Sequence, residues 1–234
     1  IMAKDVEWEN KWRKRSSKPL LEPLYEFEDV ERTLRLCESH PYGQPVQLPG
    51  GVTLLFRDAG HILGSAIIEL AIPSGGLTRR LVFSGDLGNP NPVLMKDPER
   101  IYEADLVLLE STYGDRDHRP QEETLEEFSQ VLEEAYADGG NVLIPAFAVG
   151  RTQEILYHLS VLYHTGRLRQ QLVFLDSPMA IKVTELYHRA RKALDPEDLK
   201  VLNIAASGNT NQYLPILRMT RSVEESMAIN RIRG

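Results

Sequence analysis

Residues 58–65 read Asp-Ala-Gly-His-Ile-Leu-Gly-Ser and follow an apolar, strand-like run at 52–56. Two more loops follow apolar runs in the same way: residues 84–88 read Ser-Gly-Asp-Leu-Gly, and residues 110–114 read Glu-Ser-Thr-Tyr-Gly. The three loops would place one imidazole and two carboxylates at the ends of neighbouring strands. Because proteins hold metal ions with these side chains, the loops predict a ligand site at one edge of a sheet.

Short β-rich runs predict that the first half of the chain is built from strands. Runs at 52–56 and 66–72 are followed by the turn Ser-Gly-Gly at 74–76 and a return strand that reaches 81–83, which together predict an antiparallel hairpin. The continuous apolar run at 106–109 is typical of a strand that is covered on both faces.

From about Arg116 the pattern changes to alternating helix and strand. The predicted elements are, in order, a helix with apolar positions from Leu125 to Ala135, a strand at 142–144, a helix from Ile155 to Leu162, a strand at 172–175 and a helix at 180–192. This order predicts a parallel sheet with right-handed crossovers, and therefore a second domain that begins near Asp117.

Composition excludes some functions. The net charge of -7 argues against a protein that coats nucleic acid through phosphate contacts alone, although a nuclease needs positive potential only along its cleft. No apolar run approaches the roughly 20 residues that span a bilayer, so we expect a cytoplasmic protein with no membrane partner. The lone Cys37 falls at apolar helical spacing with Phe27, Val30 and Leu34, and we predict a small core residue.

One basic run lies between the tryptophans Trp8 and Trp12 and Pro19. It consists of Lys11, Arg13, Lys14, Arg15 and Lys18. Two interpretations stay open: a solvated helix face with both tryptophans packed underneath, or a rim that holds a polyanion.

Together the three loops resemble those of the metallo-β-lactamase superfamily, and more narrowly of its β-CASP branch of nucleases. The resemblance continues through residues 145–154, Pro-Ala-Phe-Ala-Val-Gly-Arg-Thr-Gln-Glu, and through residues 176–180, Asp-Ser-Pro-Met-Ala. It implies an α/β fold: residues 1–117 form the C-terminal part of the first metallo-β-lactamase segment, an αββα sandwich, and residues 118–234 form a mostly parallel β-CASP cap. The active site would lie in the cleft between them.

Two motifs of the family are missing from this sequence. His-x-His-x-Asp-His, which supplies most of the family's metal ligands, does not occur, and neither do the histidines that follow a Gly/Ser-rich loop further along such proteins. We therefore expect a fragment that is inactive by itself. The alternative is a degenerate paralogue that has lost its metal site.

The resemblance assigns chemical roles to four residues of the first half. His61 would bind one of two zinc ions, Asp86 would bridge both ions, and Glu110 would support the site by holding a histidine from further along the chain. As alternatives, His61 could be a hydrogen-bonded structural residue, and Asp86 could be a turn residue that caps its own backbone. His118 would be a further catalytic residue, or a solvent-facing hinge residue.

In the cap, Arg151 and Ser177 are candidates for binding substrate phosphates. Arg151 opens a predicted helix and Ser177 precedes one, in each case just after a predicted strand. Simpler roles compete with this hypothesis. Ser177 or Asp176 could cap a helix before Pro178, and Arg151 could pair with Glu154 or Asp176. For Asp176 we favour the simpler role. For Arg151 and Ser177 both roles stay open.

The function that the resemblance implies is a zinc-dependent phosphodiesterase that cleaves RNA by attack of a metal-bound hydroxide, as an exonuclease or endonuclease in RNA processing or decay. The expected partners are single-stranded RNA and, from relatives, a second copy of the protein. Three alternatives stay open: a DNA-directed nuclease, a non-catalytic subunit that binds RNA or a partner, and a small-molecule hydrolase.

Overall fold

The computed structural model describes residues 2–170, 172–201 and 214–232. By its internal contacts the chain divides into two units, Ile1–Pro41 and Tyr42–Gly234. The domain boundary predicted near Asp117 lies inside the second unit and stays a prediction. No helix in the described parts is long and apolar enough to cross a membrane.

The first unit contains two helices, α1 (Met2–Arg15) and α2 (Phe27–Leu34). The segment after α1 folds back along it: Asn10 and the Leu21 backbone exchange two hydrogen bonds of 2.8 Å, and the Arg13 guanidinium donates to the Pro19 carbonyl oxygen. The prediction that Cys37 is a core residue is wrong, because its side chain is exposed. The helix ends at Leu34, so the apolar spacing does not continue along one helix face to position 37.

A five-stranded sheet forms the first part of the second unit, in the order β1-β2-β3-β4-β5. The strands are β1 (Val46–Gln47), β2 (Thr53–Asp58), β3 (Ala66–Ser74), β4 (Leu77–Phe83) and β5 (Leu106–Leu108). Only the β4–β5 pairing is parallel. The predicted hairpin is confirmed: Ser74 pairs with Leu77 across a turn in which Gly75 and Gly76 have positive φ, a conformation that suits glycine.

The structure corrects the predicted burial of the run at 106–109. A strand forms there, but residues 106–109 are between 46% and 66% exposed. Consecutive side chains of a strand point to opposite faces, so neither face of β5 is fully covered within the described residues; β5 is also an edge strand, paired there with β4 alone. A continuous apolar run is therefore not sufficient evidence of cover on both faces.

The remainder of the second unit is mainly helical. Its elements are α3 (Gln121–Ala137), α4 (Arg151–His164), β6 (Val173–Leu175), α5 (Pro178–Arg189), α6 (Pro196–Val201), β7 (Leu217–Met219) and α7 (Val223–Ile229). The three predicted helices and the strand at 172–175 are confirmed, and β6 pairs in parallel with β7. The strand predicted at 142–144 is wrong: no ladder partner is present among the described residues, and Leu143 is 92% exposed.

The main apolar core lies where α4 and α5 pack on β6 and β7. It contains Leu156, Ile181, Leu214 and Leu217. Leu94, from the connection between β4 and β5, is buried in the same cluster, and its backbone N–H donates to the Asp198 carboxylate (2.6 Å). The cap-like second half is thus joined to the strand-rich first half by packing as well as by the chain.

We expect Leu217→Ala to lower the free energy of unfolding by about 2–5 kcal/mol, because Leu217 is 1% exposed and truncation would leave a cavity. The matched control is Leu143→Ala, at a position that is 92% exposed, where the change should stay within about 0.5 kcal/mol. Urea unfolding followed by circular dichroism measures both. Equal effects would contradict this assignment of the core.

Candidate functional site

Three hydrogen bonds donated by backbone N–H groups join the loops that follow β2, β4 and β5. The Gly88 N–H donates to the Ala59 carbonyl oxygen at 2.8 Å. The Leu87 N–H donates to Oε1 of Glu110 at 2.6 Å, and the Glu110 N–H donates to Oγ of Ser84 at 3.0 Å. The loops that carry the three predicted site residues are therefore fixed to one another.

Glycine permits the closest of these contacts. A Cβ on Gly88 would lie 2.1 Å from the carbonyl oxygen of Gly60, and a Cβ on Gly60 would lie 2.5 Å from the carbonyl oxygen of Lys96. Both neighbours are backbone atoms and cannot move aside as a flexible side chain could. Gly60 also has φ +62°, which disfavours other residues. The loop that holds His61 is thus confined between two other backbone segments.

His61 is exposed on this loop, and its backbone N–H donates to Oγ of Ser65 at 3.1 Å. Its imidazole lies close enough to Glu110 to act on that carboxyl electrostatically. The pKa of Glu110 is lowered first by the Leu87 N–H, then by hydrogen bonds from Thr112, and also by the positive charge of His61. His61 therefore lies within electrostatic range of Glu110.

Asp86 is exposed between Gly85 and Leu87, on the loop that Gly88 fastens to the His61 loop. Within the described part of the chain, its carboxylate makes no hydrogen bond or ion pair, and neither does the His61 ring. The ligand roles of both side chains and the structural alternatives therefore stay open predictions.

The second half of the chain packs directly against the His61 loop. A Cβ on Gly150 would lie 2.8 Å from Cγ2 of Ile62, and the Leu63 N–H donates to the Tyr187 hydroxyl oxygen at 3.2 Å. Burial raises the pKa of Tyr187, so this hydroxyl stays neutral. The two residues that follow His61 are thus held by the N-terminus of α4 and by α5.

The candidate substrate-binding residues both have local partners. The Arg151 guanidinium pairs with Glu154 at 2.6 Å, and Oγ of Ser177 accepts a hydrogen bond from the Ala180 N–H at the start of α5. The Asp176 carboxylate accepts from the hydroxyls of Thr220 and Ser226. Arg151 nevertheless stays mostly exposed beside Gly150, so its charge is available near the His61 loop.

His118 lies apart from this arrangement. Its ring contacts the Tyr113 ring at 4.2 Å between centroids, and the Arg116 guanidinium lies 5.5 Å from the same tyrosine ring. No contact within the described residues joins His118 to His61 or Asp86.

His61 and Asp86 carry donor atoms of the kinds that zinc binds. An exposed imidazole and an exposed carboxylate on neighbouring loops suit zinc, but a protein site needs at least three ligands. No group of three or more His, Cys, Asp or Glu side chains in the described ranges is placed to hold a metal. The described residues therefore contain no complete zinc site, and the metal-binding roles of His61 and Asp86 stay predictions.

Sequence reasoning did not identify Ser84, Gly88 and Tyr187 as residues that build the site. Ser84 and Gly88 stand in the quoted loop 84–88, so their motif was a usable signal. Tyr187 gave no signal, because it is 124 positions from Leu63, whose N–H it accepts.

Comparison with known proteins shows similarity over most of the chain. Residues 152–234 match the Beta-Casp domain. The chain is 43% identical over 215 residues to Ribonuclease TTHA0252 of Thermus thermophilus. The aligned region covers 91% of this chain and 47% of that protein. It is 33% identical over 181 residues to an RNase J-like protein of Methanocaldococcus jannaschii, with coverage of 76% and 42%. Transcription termination factor FttA of Cenarchaeum symbiosum shows 33% identity over 181 residues, with coverage of 76% and 27%.

These matches confirm the resemblance carried by the loops. The chain belongs to the β-CASP branch of the metallo-β-lactamase superfamily. The predicted α/β class is confirmed as well, although most strand pairings in the structure are antiparallel. The chain spans less than half the length of these relatives.

We expect Gly88→Ala to destabilise the protein by about 1–3 kcal/mol, because the new methyl group would meet the Gly60 backbone at 2.1 Å. Gly140→Ala is the matched control, since its new Cβ would lie 3.6 Å from the nearest atom and neither glycine has a positive φ. Urea unfolding measures both variants. A Gly88→Ala protein as stable as the control would refute the close approach of the two loops.

We expect His61→Gln to raise the pKa of Glu110 toward its ordinary value, because a nearby positive charge favours the ionised carboxylate. The rise should be partial, since the Leu87 N–H bond remains. Carbon-13 NMR titration of glutamate carboxyls in the metal-free chain measures the effect, with His188→Gln as the control. An unchanged Glu110 titration would show that His61 lies elsewhere.

Proposed function

We propose that the intact protein containing this chain is a zinc-dependent phosphodiesterase that cleaves RNA. The observation that carries the proposal is the junction of three loops, in which Gly88 fastens the Asp86 loop to the His61 loop and Leu87 binds Glu110. The His61 imidazole and the Asp86 carboxylate, which form no hydrogen bond within the described residues, would then be available on adjacent loops, beside a cap that would hold a polyanion.

His61 and Asp86 would hold the metal ions in this proposal. Two bound ions would supply an acidified water and neutralise charge that develops on the phosphate oxygens. Glu110 has a lowered pKa and is therefore ionised at neutral pH. It would orient a histidine from another part of the intact protein, since imidazoles at metal sites commonly donate to a carboxylate. His118 stays a weaker catalytic candidate, because it contacts Tyr113 instead.

Arg151 would contact a substrate phosphate. It opens α4 next to Gly150, which packs on Ile62, so its charge lies near the His61 loop. Ser177 would add a hydroxyl donor at the N-terminus of α5 while its oxygen accepts the Ala180 N–H. These two residues would position a phosphodiester, and neither would break a bond.

The names of two relatives, a ribonuclease and an RNase J-like protein, support RNA as the substrate class. We propose a single strand, because the cleft that the family resemblance implies would admit a flexible chain more readily than a duplex. A cytoplasmic location and assembly as a homodimer belong to the same proposal.

This chain alone would be inactive, since its described residues contain no complete metal site. The chain covers 47% of the Thermus thermophilus relative, and we propose that the remaining ligands come from the rest of the intact protein. A DNA-directed nuclease and a non-catalytic binding subunit are the alternative outcomes of the test below.

We expect Asp86→Asn in the intact protein to lower kcat for RNA cleavage by about 100-fold or more, because outer partners of metal ligands alone are worth up to about that factor. Asp138→Asn, at an exposed carboxylate that follows α3, is the matched control and should leave kcat unchanged. Initial rates on matched RNA and DNA oligonucleotides give the comparison, before and after chelation and zinc restoration.

Three results would contradict the proposal. Cleavage that survives exhaustive metal removal would exclude the metal mechanism. Faster cleavage of the DNA strand would favour the DNA-directed alternative, and zinc-loaded protein that binds RNA without cleaving it would favour the binding subunit.

A further inference from the structure

One face of α1 interleaves aromatic rings with positive charges. Successive residues of an α-helix are about 100° apart, so residues separated by three or four positions share a face. On α1 these residues are Lys4, Trp8, Lys11, Trp12 and Arg15. We call this set the tryptophan face.

The tryptophan face is open to solvent. Trp8 is 74% exposed and Trp12 is 49% exposed. The opposite side of α1 is the one that is covered, because Asn10 and Arg13 bind the backbone of residues 19–21. The interpretation that placed both tryptophans underneath the helix is therefore wrong.

Lys18 adds a cation to the same surface. Its Nζ lies 4.3 Å from the centroid of the Trp12 ring, over one side of the indole. A side chain on one side of an indole leaves the other side for a stacking partner. The contact with Lys18 thus holds the Trp12 ring in place and puts a positive charge beside it.

Charge around this face is opposite in sign to that of the chain. Residues 4–18 contain six Lys or Arg and three Asp or Glu, a formal charge of +3, whereas the whole chain carries -7. One acidic residue, Glu9, is paired with Arg13 on the covered side. The face therefore attracts anions despite the acidic composition of the protein.

We propose that the tryptophan face binds single-stranded nucleic acid, with bases stacked on Trp8 and Trp12 and phosphates held by Lys4, Lys11, Arg15 and Lys18. Aromatic rings interleaved with cations are how proteins bind unpaired strands without sequence preference. The site lies wholly within the first unit and outside the three-loop junction. RNA as its natural ligand rests on the proposed function.

A membrane surface is the main competing partner. A helix that lies in a lipid interface presents a continuous apolar side. The tryptophan face instead has two indoles among three cations of its own helix, without an aliphatic residue. A duplex fits less well than a single strand, because stacking on an indole requires an unpaired base.

The sequence provides a direct probe, because its two tryptophans are both on this face. The metal-free chain is titrated with oligouridylate and with matched oligothymidylate while tryptophan fluorescence is recorded. We expect saturable quenching by both strands. Four phosphate contacts on a single strand predict that log K falls with log salt with a slope of about -3.

Substitutions separate stacking from general charge. Trp8→Leu and Trp12→Leu should each weaken binding about 5-fold to 100-fold, measured by anisotropy of a labelled strand. Tyr136→Leu removes another exposed helical aromatic, 52% exposed on α3, and should bind as the unchanged chain does. Lys11→Gln should weaken binding more than Lys14→Gln, because Lys14 lies on the same helix outside the tryptophan face.

Three outcomes would overturn the proposal: no quenching by either strand, tryptophan variants that bind like the control, or quenching by phosphatidylserine vesicles and not by oligonucleotides. Cleavage plays no part in this experiment, since metal is absent. An intact protein that fails to cleave RNA would therefore overturn the proposed function and leave this result standing, and the reverse also holds.

Discussion

The hydrogen bond from the Gly88 N–H to the Ala59 carbonyl oxygen is the constraint on which the candidate site depends. It forms only because Gly88 has no side chain, since a Cβ there would overlap the Gly60 backbone. This one contact fixes the distance between two loops that are separate in sequence and that carry His61 and Asp86. A polar site on loops needs such a fixed scaffold, because loops otherwise move more than the strands they join.

Glu110 connects this constraint to electrostatics. Its carboxylate accepts the Leu87 N–H, so the residue that precedes Gly88 also helps to keep a negative charge in place. His61, on the loop to which Gly88 is bonded, also favours the ionised carboxyl. One small region of backbone therefore sets both the positions and the charges of the proposed site, while Ile62 and Leu63 connect it to the second half of the chain.

Several exposed apolar residues show where local pattern and tertiary environment differ. The edge strand β5 and Leu143 have the composition of covered strands, yet both are exposed among the described residues. This chain matches less than half the length of the Thermus thermophilus and Methanocaldococcus jannaschii relatives. The tryptophans of α1 are a different case, because cations flank them on their own helix. The opposite side of that helix is covered, since Asn10 binds the backbone of Leu21 there.

The sequence by itself determined the hairpin of β3 and β4, the helices α3 to α5 and the loops that end β2, β4 and β5, because hydrophobic period and glycine turns act over a few residues. The roles of His61 and Asp86 remain predictions. Only the tertiary structure decided which backbones touch: Gly88 against Gly60, and Leu63 against Tyr187, 124 positions away. Such contacts depend on packing of the whole unit, and a local pattern holds no information about atoms so distant in the chain.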